Sequence, residues 1–241
     1  MNEVYPQMSC PLPVLAHDKI QLAHGSGGKL SAELVEKLFL PRFGNKTLNR
    51  LEDQAVLALE KGRISFSTDT FVVDPVFFPG GNIGDLAING TTNDICMCGA
   101  RPMFLSAAFV LEEGLPIADL HRILVSMQMA AEHAGVRIVT GDTKVVSKGH
   151  CDKIFINTSG IGLVPEGLDL GCHRIEPGDK IIVSGTIGDH GIAVLAARPC
   201  LSRQKLRAIR PPSIIWSPWS WKCHRVSGQC VILLVAESQL H

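Results

Sequence analysis

The 241-residue sequence predicts an α+β fold. Three observations lead there. Strand-like and helix-like stretches mix along the chain without a strict β-α-β repeat. One stretch, "LPIADLHRILVSMQMAAEHAG", carries both the start and the stop signals of an amphipathic helix. The composition, 46% apolar and 19% charged, suits a chain with a substantial core.

The elements follow in order. Residues up to Ala23 are polar and contain prolines, and read as an arm. "HGSGGKL" is a glycine-rich turn that leads into a helix over "SAELVEKLFLPRF", with Leu30, Leu34 and Leu38 at helical spacing. "RISFSTDTFVVDPVFF" is rich in β-branched and aromatic residues and reads as a strand that Asp74-Pro75 ends. "PGGNIGDLAINGTTNDICMCGARP" begins as a turn and becomes a helix with Ile83, Leu86, Ala87 and Ile95 on one face. "RPMFLSAAFVLEEG" is a strand. The clearest helix comes next, with Pro116 near its start, Leu120, Ile123, Leu124, Met127 and Ala131 as its stripe, and Gly135 at its end. "VRIVTGDTKVV", "DKIFINTSGIGLVPEG" and "PGDKIIVSGTIGDHG" are further strands, and "HGIAVLAAR" opens a helix. "EGLDLGCHRIEPGD" reads as a domain junction.

Composition excludes several classes of function. Lys and Arg total 23, as do Asp and Glu, so no polyanion or anionic membrane is indicated as a partner. No apolar run approaches a bilayer span, and the first residues lack the pattern of a secretory signal. The eight cysteines are scattered without a C-x-x-C pair, which suggests reduced thiols and a cytoplasmic protein.

Four carboxylates stand where elements are expected to end, beside small or polar residues. They are Asp53 in "LEDQAV", Asp69 in "STDTF", Asp94 in "TTNDIC" and Asp142 in "TGDTKVV". Hard cations take oxygen ligands, and nucleotide sites supply a few carboxylates while phosphates complete the shell. "HGSGGK" offers successive backbone N–H groups to phosphate oxygens, with Lys29 as a cation, so the set suggests Mg2+ and ATP. The segment lacks Walker A spacing, and each Asp taken singly reads more simply as a turn or cap residue than as a ligand. Cys96 and Cys98 of "CMCG" read as small buried helix residues, because no second pair lies nearby to complete a soft-metal site. His24 and His190 adjoin glycines and are further ligand candidates, though lone histidines more often satisfy local hydrogen bonds.

These strings resemble a known family. "QLAHGSGGK", "EDQAV", "STDTFVVDPVFFPGGNIGDLAINGTTNDICMCGARP", "FVLEEGLP", "GVRIVTGDTKVV" and "VSGTIGDHG" are similar to the HypE family of nickel–iron hydrogenase maturation factors. That family lies within the ATP-binding superfamily of aminoimidazole ribonucleotide synthetase, selenophosphate synthetase and thiamine-phosphate kinase. The match runs from about Gln21 to Arg198. The resemblance implies an N-terminal ATP-binding and dimerisation domain over 24–168 after an arm over 1–23, with a second α+β domain starting over 169–198. It implies a homodimer formed across a β-barrel-like interface, with Mg2+ and ATP as cofactors. Asp53, Asp69, Asp94 and Asp142 match the family's metal positions. Gly25, Gly27, Gly28, Lys29, Asn93, Asp142 and Thr143 match its nucleotide-binding positions. The implied reaction is an ATP-dependent dehydration. HypF places a carbamoyl group on a C-terminal cysteine, ATP activates the carboxamide oxygen, and the resulting cyano group passes to a HypC-HypD complex. A selenophosphate synthetase would carry cysteine or selenocysteine in the glycine-rich loop, and this loop has neither.

The resemblance stops at about Arg198. All three tryptophans, Trp216, Trp219 and Trp221, follow it, and Glu237 is the only acidic residue beyond Asp189. The codons that permit "CVILLVAESQLH" also permit, one frame over, the string R-D-P-T-R-G-G. Those of "LRAIRPPSI" likewise permit E-S-D-x-A-P-L, and both strings suit the family's second domain. Residues 199–241 are therefore expected to be an out-of-frame, poorly ordered tail. A chain that lacks the terminal cysteine and that loop is expected to be inactive by itself, and to serve as a non-catalytic dimerising fragment. A related small-molecule kinase is the remaining alternative.

Overall fold

The structure is a computed structural model that describes residues 15–51, 55, 57, 62–170, 177, 180–183, 189–197 and 232–235. Its centre is a four-stranded sheet in the order β1-β6-β4-β5. These strands are β1 (Arg63–Phe71), β4 (Arg101–Glu112), β5 (Arg137–Val146) and β6 (Ile154–Val164). β6 runs antiparallel to β1 and β4, whereas β4 and β5 are parallel and are joined through α4 (Ile117–Ala134). One crossover unit inside an otherwise antiparallel sheet is an α+β arrangement, as expected.

One face of the sheet is covered. α3 (Ile83–Cys96) packs on β1 and β6, and α4 packs on α3. Ile88, Ile95, Leu105, Leu111, Ile123, Leu124, Ile154 and Ile156 form the centre of this core. α4 ends as its sequence demands, with Gly135 left-handed at φ 68° and closing the last turn. α3 begins with a reciprocal cap: Asn82 Oδ1 accepts the Gly84 N–H, and Asp85 accepts the Asn82 N–H.

The opposite face alternates outward and, among the described residues, has no helix on it. Phe66 is 67% exposed, Val72 56% and Ile64 54%. Thr68, Ser159, Asn157 and Thr70 are hydrogen-bonded to one another across β1 and β6 on this face.

The first helix departs from its expected regularity. α1 (Lys29–Leu34) and α2 (Leu40–Phe43) are joined by a π-helical turn, Val35–Phe39. The extra residue in that turn lets both Leu38 and Phe39 reach the core. β1 stops at Phe71, well before Phe78; Phe77–Phe78 forms a separate short strand, β2, paired with β3 (Gly81–Asn82). The arm is fastened where it is described: Ile20 is fully buried, its N–H donates to Leu115 O, and Gly114 N–H donates to Ile20 O. At the expected junction, Leu168 and Leu170 lie against Gly99. Beyond it, β7 (Lys180–Val183) pairs with β8 (Ile232–Val235), and α5 (Asp189–Ala197) touches β2. β8 is the described part of the expected tail; the remainder of 199–241 lies outside the described residues. Cys98 and Cys151 are free thiols, but Cys96 is disulfide-bonded, contrary to the expectation of reduced cysteines throughout.

Candidate functional site

Asp69 and Asp94 line one groove between β1 and α3. Asp94 Oδ2 accepts the Ser67 hydroxyl at 3.2 Å. Asp69 stands two residues along β1, on the same face as Ser67, so its carboxylate comes over Gly90, one helical turn before Asp94. A Cβ on Gly90 would lie 3.8 Å from Asp69 Oδ2 and 2.7 Å from the Phe71 ring, so glycine is what lets helix and strand meet here. Ser67 was not identified from sequence; its place two residues before Asp69 in an alternating strand is the signal that would find it.

Neither carboxylate is a cap. Asp94 lies in the last turn of α3, where the helix dipole disfavours a negative charge and a neighbouring cation would offset it. Asp69 and Asp142 were expected at element ends, yet both lie inside strands, β1 and β5. The chain stays extended past each of them because the following residues, Thr70-Phe71 and Thr143-Lys144-Val145-Val146, favour strand. Each Asp accepts the backbone N–H of its following Thr at 2.8 Å, which leaves Oδ2 for other partners. Beside Asp94, Asn93 Nδ2 is buried and has no hydrogen-bond partner, a donor that an incoming oxygen could satisfy.

Asp142 does not join this groove within one chain. Its row across the sheet is Asp142, Ala108, Asn157, Thr70, so it stands three strands from β1, roughly 14 Å away. Lys144 Nζ lies 3.9 Å from Asp142 Oδ2. Among the described residues no three His, Cys, Asp or Glu side chains form a metal cluster, and Asp53 lies outside the described residues.

The glycine-rich segment is at the β5 edge too. His24 is buried at the end of a helical turn, Leu22–Gly25, and burial holds its imidazole below the usual histidine range. Gly25 packs so closely on β5 that a Cβ would lie 2.6 Å from Val145 N. Gly27 is left-handed at φ 78°, Gly28 precedes the first turn of α1, and Lys29 is exposed. Beneath them lies a cavity of about 340 Å³ whose walls include Ser31, Phe39, Phe109, Gly141, Thr143 and Lys144. His190 is elsewhere, edge-on to Phe78 at 5.4 Å with Nδ1 buried and unpartnered. The residues thus form two half-sites on opposite edges of the sheet. One is a carboxylate groove (Asp69, Asp94), with the buried Asn93 next to Asp94 in the chain, and the other a phosphate-type rim (Gly25, Gly27, Gly28, Lys29, Asp142, Thr143).

This fold has known counterparts. Residues 51–164 match the family described as AIR synthase related protein, N-terminal domain, which defines the class. The chain is 51% identical over 183 residues to carbamoyl dehydratase HypE of Bradyrhizobium diazoefficiens, covering 76% of this chain and 53% of that protein. It is 51% identical over 186 residues to carbamoyl dehydratase HypE of Escherichia coli K12, covering 75% and 55%. A crystal structure of hydrogenase maturation protein HypE in complex with ATP superposes with TM-score 0.71 at 52% identity, over 73% of this chain and 52% of that one. A HypE–HypF complex structure superposes with TM-score 0.57 at 50% identity, over 76% and 56%. Over its matched residues the chain is similar to these HypE proteins at about half identity, and it spans about half the length of the curated relatives it matches. No helix among the described residues is long and apolar enough to cross a membrane.

Proposed function

We propose that this chain binds Mg2+·ATP and carries the nucleotide-binding part of a carbamoyl dehydratase that serves nickel–iron hydrogenase maturation. The observation that carries the reading is Asp94. It is a carboxylate in the last turn of a helix, sharing a groove with Asp69 beside an unpartnered Asn93 amide. That donor set fits a hard cation and phosphate oxygens. Asp53 and Asp142 complete the proposed metal ligands.

The proposed chemistry turns a poor leaving group into a good one. A carboxamide oxygen on a carbamoylated cysteine attacks the γ-phosphorus of ATP and releases ADP. The N–H protons then leave, the C–O bond breaks with departure of phosphate, and a thiocyanate remains. Mg2+ supplies neutralisation of charge on the phosphates. In this chain Asp69 and Asp94 hold the cation side, while Lys29 and the glycine-rich N–H groups face the phosphates. The carbamoyl donor in this reading is HypF, and the cyano group goes to HypC-HypD in the cytoplasm.

A homodimer is part of the proposal. Two copies closing their open sheet faces into a barrel would bring the β1 edge of one beside the β5 edge of the other. The carboxylate groove of one copy would then meet the Asp142 and Lys29 rim of its partner. The exposed Ile64, Phe66 and Val72 support this, and they equally favour a second reading in which the chain acts as a non-catalytic dimerising subunit.

Calorimetric titration with Mg2+·ATP tests the nucleotide reading. We expect Asp94→Asn to weaken binding at least tenfold without lowering the melting temperature; equal affinity in the variant would remove Asp94 from the site. The same titration separates the two readings, since a subunit that only dimerises needs no Mg2+·ATP and its association would not depend on it.

A further inference from the structure

We propose that Ser31 is a positioning residue, a latch that ties the glycine-rich segment to the first turn of α1 and so fixes where Lys29 stands; this rests on the Mg2+·ATP reading above. Three glycines in four positions leave this segment with little conformational restraint of its own. Gly28 stands where a helix normally has a capping side chain, and none is supplied there. Ser31, inside the helix, instead fastens the chain that precedes it. Its Oγ accepts the Gly27 N–H at 2.9 Å and donates to Ala23 O at 3.4 Å. Ser26 Oγ donates to the same carbonyl at 2.9 Å.

The segment is therefore pinned at two points. Gly25 is held against Val145 of β5 by a contact too close for any side chain. Gly27 is held in its left-handed conformation by Ser31. Beyond these pins, the backbone N–H groups from Gly28 through the first turn of α1 and the Lys29 side chain remain to meet a phosphate. With the Gly27 N–H occupied by Ser31, the anion is met by the amides that follow it and by Lys29. Ordering the rim before ligand arrives reduces the entropy lost on binding.

The test uses the 241-residue chain as wild type, Ser31→Ala and Ser31→Thr. Alanine is a good helix former, so the α1 turn is not at risk. Deuterium exchange of peptides spanning Ala23–Leu30 is measured without nucleotide, and Mg2+·ATP affinity by titration. We expect Ser31→Ala to speed exchange in these peptides and to weaken Mg2+·ATP binding by roughly five- to tenfold, the scale of one hydrogen bond. The melting temperature should stay unchanged, and Ser31→Thr should restore both readouts. Unchanged exchange in Ser31→Ala overturns the latch, whatever ATP does. Faster exchange with unaltered affinity overturns its positioning role. A wild type that binds no Mg2+·ATP brings down the nucleotide reading and this proposal together, a result distinct from either of the others.

Discussion

Asp85 shows how one buried carboxylate can set a pH dependence. It accepts the Asn82 N–H at 2.9 Å as half of the α3 cap, and burial pushes its carboxyl up from 3.8 to about 6. The folded state therefore holds this proton more tightly than the unfolded chain does. The stability it contributes is full below about pH 4 and is lost as pH rises through about 6. Asp85→Asn keeps an acceptor for the Asn82 N–H and removes the charge. We expect the variant to gain up to about 3 kcal/mol at pH 7 and to lose the wild-type slope between those pH values, as read by urea unfolding across pH. At this scale the sequence was legible in part. It named Asp69, Asp94 and Asp142 but left cap and ligand readings open, because residue type alone carries no direction. Only the position of Asp94 near a helix C-terminus, and of the other two within strands, separates them.

Among the elements, α3 differs most from its expected form. The sequence predicts one buried stripe through Ile83, Leu86, Ala87 and Ile95, yet Asn89, Gly90, Thr91, Thr92 and Asn93 are buried as well. The helix is enclosed by β1 and β6 on one side and α4 on the other. Its small residues allow this: a Cβ on Gly84 would lie 2.5 Å from Ile123 O, and Thr91 Oγ1 sits 2.6 Å from Thr158 Oγ1. Periodicity reports which residues are apolar and not how many neighbours a helix acquires. β4, α4 and β5 were readable because their signals are local, whereas the π-helical turn has no signature in hydrophobic spacing. Gly90→Ala would drive the new methyl into the Phe71 ring. We expect a loss of about 1–3 kcal/mol in chemical denaturation, together with weaker Mg2+·ATP binding as Asp69 is displaced.

For the whole molecule, the separation of the half-sites matters most. The pairing of β1 with β6 and the placing of β5 at the far edge come from long-range contacts that sequence patterns do not encode. Of the four carboxylates that looked like one set, the three described ones are therefore divided within a single chain, Asp69 and Asp94 from Asp142. If the dimer joins the halves, two defective copies should repair each other. A chain with Asp69→Asn and Asp94→Asn, mixed in equal amount with one carrying Asp142→Asn, should recover about a quarter of the Mg2+·ATP sites that neither holds alone, because half of the randomly paired dimers are mixed and each mixed dimer restores one of its two sites. Placing Phe66→Glu in both should abolish that recovery and give a monomer by light scattering. Recovery that persists in the monomer would count against the composite site.

The pairing of β1 with β6 also has a consequence on the ribosome. Asp69 meets Thr158, so the first strand of the sheet waits for a partner synthesised roughly ninety residues later. At ordinary elongation speeds that is a delay of roughly 5–20 s. Through that interval Ile64, Phe66 and Phe71 have no sheet to join. A nascent chain of this kind is a natural client for chaperones, and slowing translation before Ile154 would lengthen its exposure.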